Sequence, residues 1–148
     1  MARRVFFSFH YQRDVWRINQ IRNIPNVIGY AAAGFQDASL WEEAKRKGDA
    51  EIKKLIDQGL QNTSITVVFI GEQTAGRKYI NYEIEKSLKR GNGLVGIQIH
   101  HLKDQNGYTD AVGRTPAKLI SAGAKIYKYL NSDKLAERIE EAAQAAGR

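Results

Sequence analysis

The stretch from Thr63 to His100, TSITVVFIGEQTAGRKYINYEIEKSLKRGNGLVGIQIH, constrains the fold more than any other part of the chain. Ile65–Ile70 and Leu94–Ile99 are short runs rich in β-branched residues, each bounded by glycine. Such runs read as strands covered on both faces, the kind found in parallel sheets. Between them Ile80, Ile84, Ser87 and Leu88 recur at spacings of three and four. They mark one face of a helix, which Gly91 and Gly93 end. The unit is a right-handed βαβ crossover. In open α/β sheets ligands gather where strands end and helices begin, here from Gly71 to Arg77. Glu83 lies just inside the helix, roughly 80° from the centre of its apolar stripe, against about 120° for Glu85. Glu83 is therefore expected to face a cleft beside the core, and Glu85 to face water.

Alternation of strands and helices continues on both sides of this unit. Arg4–Phe9 (RVFFSF) is a strand with Val5, Phe7 and Phe9 on one face and Phe6 and Ser8 on the other. Aromatics on both faces make it a central strand. A polar loop, His10-Tyr11-Gln12-Arg13, leads to a helix from about Asp14, its expected N-cap, carrying Val15, Ile18 and Ile21. Val27–Ala33 is a candidate second strand. Gly34–Ser39 is a loop, and Ser39-Leu-Trp-Glu42 has the capping-box pattern of a following helix, with Trp41 in its first turn. After Gly48, Asp49 starts another helix with Ile52, Leu55, Ile56 and Leu60 as its buried stripe. Leu102–Gly123 lacks periodicity and is a long loop. Lys125–Leu130 is an edge strand, its lysines suited to exposure, and Ser132 caps a last helix with Leu135, Ile139, Ala142, Ala143 and Ala146 on one side. The sum is one domain, 1–148: a three-layer α/β fold on a mostly parallel sheet of about five strands.

The chain has 148 residues, no cysteine and a net charge of +7. Disulfides and thiolate metal sites are excluded, and a reducing cytoplasm is expected. No run approaches the ~20 apolar residues that span a bilayer, so no membrane partner is expected. Lysines and arginines are dispersed beside acids such as Glu42, Glu51 and Glu85 rather than gathered on an aromatic-studded surface. A solvated surface with a mild pull on anions is the expected reading and no specific nucleic-acid partner is expected, nucleic-acid binding suggested by the basic charge being the alternative.

Several chemistries are missing. There is no G-x-x-x-x-G-K-[ST] and no G-x-G-x-x-G after a strand, and Gly91-Asn-Gly93 follows a helix. No G-x-S-x-G elbow is present. His100 and His101 are adjacent at a strand end, so their side chains should diverge, and no metal is expected. A phospho-receiver domain needs acids where this chain has His10-Tyr11 and Gly71-Glu72. Glu83 remains. Phe9, His10, Asp37 and Trp41 occupy segments that converge on the same sheet edge. Aromatic walls and one carboxylate suit a flat base joined to a ribose. Cleavage of an N-glycosidic bond builds oxocarbenium character, which a nearby carboxylate stabilises. The plainer readings are that Glu83 supports a helix start, Phe9 and Trp41 belong to the core, and His10 is a solvated loop residue.

RVFFSFHY, D-x-W-R with R-N following, DASLWEEAK, NTSITVVFIG, RKYINYEI and GLVGIQIHHLKD, in that order over residues 3–107, resemble the TIR-like family. Within it the chain is most similar to the TIR components of Thoeris anti-phage defence systems. The resemblance implies a flavodoxin-like fold and an essential glutamate at Glu83, in Tyr79-Ile-Asn-Tyr82-Glu83, with Tyr79 where tryptophan is common. The first-strand motif falls on Phe6-Phe7-Ser8-Phe9, which makes Ser8 a substrate-binding candidate together with Phe9, His10, Asp37 and Trp41. NAD is then a substrate rather than a cofactor, cleaved at the nicotinamide–ribose bond to give a cyclic ADP-ribose-type messenger. The resemblance further implies a separate effector that receives the messenger, a phage component as trigger and a homo-oligomer on activation. A TIR scaffold that assembles with partners and does no chemistry is the rival reading.

Overall fold

The elements follow one another as β1 (Arg3–Ser8), α1 (Tyr11–Asn19), β2 (Val27–Tyr30), α2 (Ala38–Lys47), α3 (Asp49–Leu60), β3 (Ile65–Ile70), α4 (Lys78–Arg90), β4 (Gly93–Gln98), α5 (Ala117–Ser121), β5 (Lys125–Lys128) and α6 (Ser132–Ala145). The computed structural model describes residues 2–21, 23–30 and 38–148, with 38–41 described by backbone alone. All strand pairings are parallel, in the order β2-β1-β3-β4-β5. That is the flavodoxin-like order, and its reversal point lies between β1 and β3, where such sheets open a crevice at their C-terminal ends.

Period-2 alternation sorts the strand side chains between two helical layers. Val5, Phe7, Val67, Phe69, Val95 and Ile97 meet Ile18 and Ile21, and Leu135, Ile139 and Ala143 of α6, on one face. Phe7 and Phe69 stack edge to face at 5.2 Å. On the other face Phe6 meets Ile52, Ile56 and Leu60 of α3, while Val68 and Ile70 meet Ile80 and Ile84 of α4 and Leu119 of α5. Each fully buried side chain of this size contributes about 1.5–3 kcal/mol, so α4 is held from beneath by Ile80 and Ile84. Glu83, between them, points inward.

Several local expectations need correction. Asp14 does not cap α1: the helix starts at Tyr11 after His10, and Asp14 is wholly buried within it. Its tie to Arg17, one turn on, accounts for an acid in that place. α2 starts at Ala38, so Ser39 lies inside it rather than at its cap. The cap of α6 is Asn131, whose side chain accepts from Lys134 N at 2.8 Å, and Ser132 is the first helical residue. Leu88, assigned to the apolar stripe of α4, is 47% exposed, and Ser87 takes the buried place beside it. Gly91 ends α4 in the left-handed conformation at φ 76°, whereas Gly93 already belongs to β4. The second strand is described over Val27–Tyr30, and residues 31–33 of the expected strand lie outside the described residues, as does most of the loop after it.

The expected loop at 102–123 contains the short helix α5, and its first half is fastened from beneath. Arg17, 1% exposed, donates to the carbonyls of Leu102 (2.8 Å) and Tyr108 (3.1 Å). It also pairs with Asp14 at 3.0 Å and Asp110 at 2.9 Å. Arg13 adds a two-pronged contact to Asp110 and one to Glu72 at 2.6 Å. A charge cluster of this kind joins α1, the loop after β3 and the loop after β4.

Candidate active site

Glu83 sits in the second turn of α4, over the C-terminal end of β1. Its residue is 5% exposed, and Ser8 Oγ donates to Glu83 Oε1 at 2.7 Å. Ser8 is the last residue of β1 and wholly buried. The two therefore meet at the β1/β3 reversal point. Burial pushes the Glu83 carboxyl up to about 8, against the downward pull of the Ser8 hydrogen bond. Desolvation disfavours the anion more than one hydroxyl restores it. Burial therefore favours the carboxylic acid over the anion at this position. Glu85, two residues on, is exposed and paired with Lys118 at 2.7 Å, as its place on the helical wheel requires.

α4 is seated under Glu83 by a chain of buried hydroxyls. Ser87 Oγ donates to the Glu83 carbonyl at 2.7 Å and contacts Thr66 Oγ1 of β3 at 2.7 Å. Asn92 Nδ2 reaches both Thr63 and Thr66. Tyr79 and Tyr82 face α3 instead, donating to Asp49 and Asp57 at 2.8 and 2.9 Å. Tyr79, the aromatic of the Tyr79-to-Glu83 motif, therefore braces the catalytic candidate's helix against α3.

Phe9 and His10 directly follow Ser8 and are both half-buried. Phe9 lies against Tyr11 with ring centroids 6.4 Å apart. His10 is lowered to about 4, chiefly by burial and then by the positive charges of Arg77, Arg13 and Lys45. Three cations thus surround His10 with positive potential at the loop after β1. Trp41 lies in α2, with its side chain outside the description, and Asp37 falls outside the described residues. Of the candidates, Ser8 and Glu83 are brought into contact, whereas Phe9 packs against the core cluster on the α1 and α6 face of the sheet, because alternation along β1 sends it to the side opposite Ser8.

His100 and His101 do not diverge. Their rings meet edge to face at 5.3 Å, and His101 Nε2 contacts Tyr129 O at 2.8 Å. The chain bends after β4, so the alternation of a strand no longer applies. No group of three or more candidate metal ligands occurs among the described residues. None of their helices is long and apolar enough to cross a membrane.

Sequence reasoning missed Arg13, Arg17, Asp110 and Arg77. The Asp14-x-x-Arg17 spacing, three residues apart on a helix, was the readable signal for one pair; the partners in the loop after β4 are remote in sequence.

A parallel 2-1-3-4-5 sheet with a buried acid over its reversal point defines the class as a TIR-like α/β domain. The chain belongs to the family described as Thoeris protein ThsB, TIR-like domain, whose model matches residues 6–104. It is also similar to a Bacillus cereus (strain MSX-D12) protein named "Putative cyclic ADP-D-ribose synthase ThsB1". The two are 48% identical over 136 residues, covering 90% of this chain and 68% of that protein.

Proposed function

We propose that this protein is the TIR enzyme of a Thoeris anti-phage system. It cleaves NAD at the nicotinamide–ribose bond and closes the ADP-ribose into a cyclic messenger. The observation that carries the reading is the buried Glu83 carboxyl, held by Ser8 at the sheet's C-terminal edge, in a chain 48% identical to a protein named for cyclic ADP-D-ribose synthesis. A separate effector receives the messenger, and a phage component provides the trigger in the cytoplasm.

NAD brings a cationic nicotinamide ring. A positive charge beside Glu83 opposes the effect of burial and favours the carboxylate, and the displaced proton goes to solvent. As the bond from ribose C1′ to the ring nitrogen breaks, its electron pair leaves with neutral nicotinamide. Positive charge grows on C1′ and the ring oxygen, and the fixed carboxylate opposes it in a site of low dielectric. A nucleophilic atom of the same ADP-ribose then gives its lone pair to C1′ and closes the ring, and the one proton released overall passes to solvent. Phe9, Trp41, His10 and Asp37 are assigned to the walls that hold the base and the sugar hydroxyls.

The test is mass spectrometry of NAD incubated with lysates of infected cells containing wild type or Glu83→Gln. Wild type should yield nicotinamide and a cyclic ADP-ribose-type product, and Glu83→Gln neither. Equal product from both would remove Glu83 from the chemistry.

A further inference from the structure

The segment after β4 brings a second cation to the site edge. A cleft of about 490 Å³ opens between residues 72–77 and 112–114, lined by Glu72, Gln73, Arg77, Gly113 and Arg114 among others. Two guanidinium groups line it. Arg77 donates to Gln73 O and Oε1 at 3.0 and 3.1 Å, which braces its planar fork and leaves further N–H groups unspent. Arg114 is exposed and has no hydrogen-bond or ion-pair partner among the described residues. Glu72, the acid in the lining, is paired with Arg13 at 2.6 Å, so its charge is already opposed.

Close backbone approach delivers Arg114. A Cβ on Gly113 would collide with Gly71 O and stand 2.8 Å from Glu72 Cα, so only glycine lets this strand of loop lie against the end of β3. The fastening of Asp110 by Arg13 and Arg17 fixes the approach four residues earlier than Arg114. Arg77 is the N-cap of α4, six residues before Glu83, so their backbones lie roughly 9 Å apart along the helix axis. A ribose and its 5′-diphosphate have a similar reach.

We infer that this cleft is the diphosphate subsite of the dinucleotide, with Arg77 and Arg114 as its two anion-binding forks. The inference rests on the reading of Glu83 given above and assigns the 102–116 segment its part in substrate binding. Planar guanidinium groups pair two-pronged with phosphate oxygens, and a diphosphate offers enough oxygens for both. Arg77 also adds to the positive field at His10, the residue after β1 and Phe9.

Calorimetric titration of the full chain with inorganic pyrophosphate, and separately with ADP-ribose, at constant ionic strength tests this without turnover. Wild type should bind both, and pyrophosphate should compete with ADP-ribose. Arg77→Gln and Arg114→Gln should each weaken pyrophosphate by about tenfold. Arg114→Lys should lose less, because it keeps the charge. Glu83→Gln should bind pyrophosphate as wild type does, so a failed catalytic assignment shows only in the product assay. Unchanged affinity in the doubly substituted protein with a native circular-dichroism spectrum would overturn the subsite. So would an absence of pyrophosphate binding to wild type, or simultaneous binding of pyrophosphate and ADP-ribose.

Discussion

Ser8 Oγ and Glu83 Oε1 are 2.7 Å apart although 75 residues separate them in the chain. Among the described residues the hydroxyl is the one polar neighbour that favours the charged form of this carboxyl, against its burial. Ser8→Ala should therefore raise the Glu83 pKa above its value of about 8. It should also cost about 1–2 kcal/mol of stability, the usual consequence of orphaning a buried polar group. Carbon-13 NMR of the glutamate carboxyls and urea unfolding give the two readouts; an unmoved Glu83 titration would refute the first.

The pH dependence of stability has a definite sign. Folding lifts Glu83 from 4.5 to about 8, so the native state keeps a proton that the unfolded chain releases. Its contribution is fully present below the unfolded pKa and is lost as pH rises towards 8. Glu83→Gln removes this dependence, and the variant should gain stability relative to wild type at alkaline pH in paired urea titrations. Catalysis should run the other way: kcat/KM for NAD should climb with pH to a limb near 8, as expected of a group that must be ionised in the free enzyme.

Arg17→Met should be strongly destabilising. The substitution leaves Asp14 and Asp110 without their buried partner and releases two carbonyls of the 102–108 turn. Breaking a buried pair from one side costs about 3–5 kcal/mol. The partly exposed pair of Arg3 and Glu140, at 2.9 Å, is the contrast, and Glu140→Ala should leave the melting temperature close to that of wild type. Thermal melts separate the two, and hydrogen exchange should quicken in residues 102–110 for Arg17→Met alone.

Arg77→Gln should raise the His10 pKa from about 4. Burial remains the larger cause, so the value should stay below 6.5. For a lowered histidine the unfolded chain binds the extra proton, and stability falls as pH drops from 6.5 towards 4. Imidazole NMR titration of both proteins checks the shift; identical curves would place Arg77 away from His10.

The central βαβ unit was legible because Ile65–Ile70 and Ile80–Ile84 state their periods within a few residues, and Glu83 could be placed by counting around one helix. Helix starts were less legible. Asp14 and Ser132 are good capping types, yet Asp14 was drawn inward by Arg17, and Asn131 won the last cap by one residue. Leu102–Gly123 gave no local signal, because its order comes from Arg13 and Arg17, about 90 positions away. The proximity of His100 to His101 depended on the chain leaving its strand at that point. Local periodicity carries no information on such long-range contacts.

β1 precedes the other strands of this sheet in the chain and yet lies between β2 and β3. While the chain is still on the ribosome, one long flank of that phenylalanine-rich strand has no neighbour until Ile65–Ile70 has emerged. The interval spans more than 50 residues of synthesis, from Ser8 to Ile65. During it, the half-made sheet offers an open edge to any other nascent copy. Translational pausing ahead of β3 would prolong that exposure, and pausing after it would not.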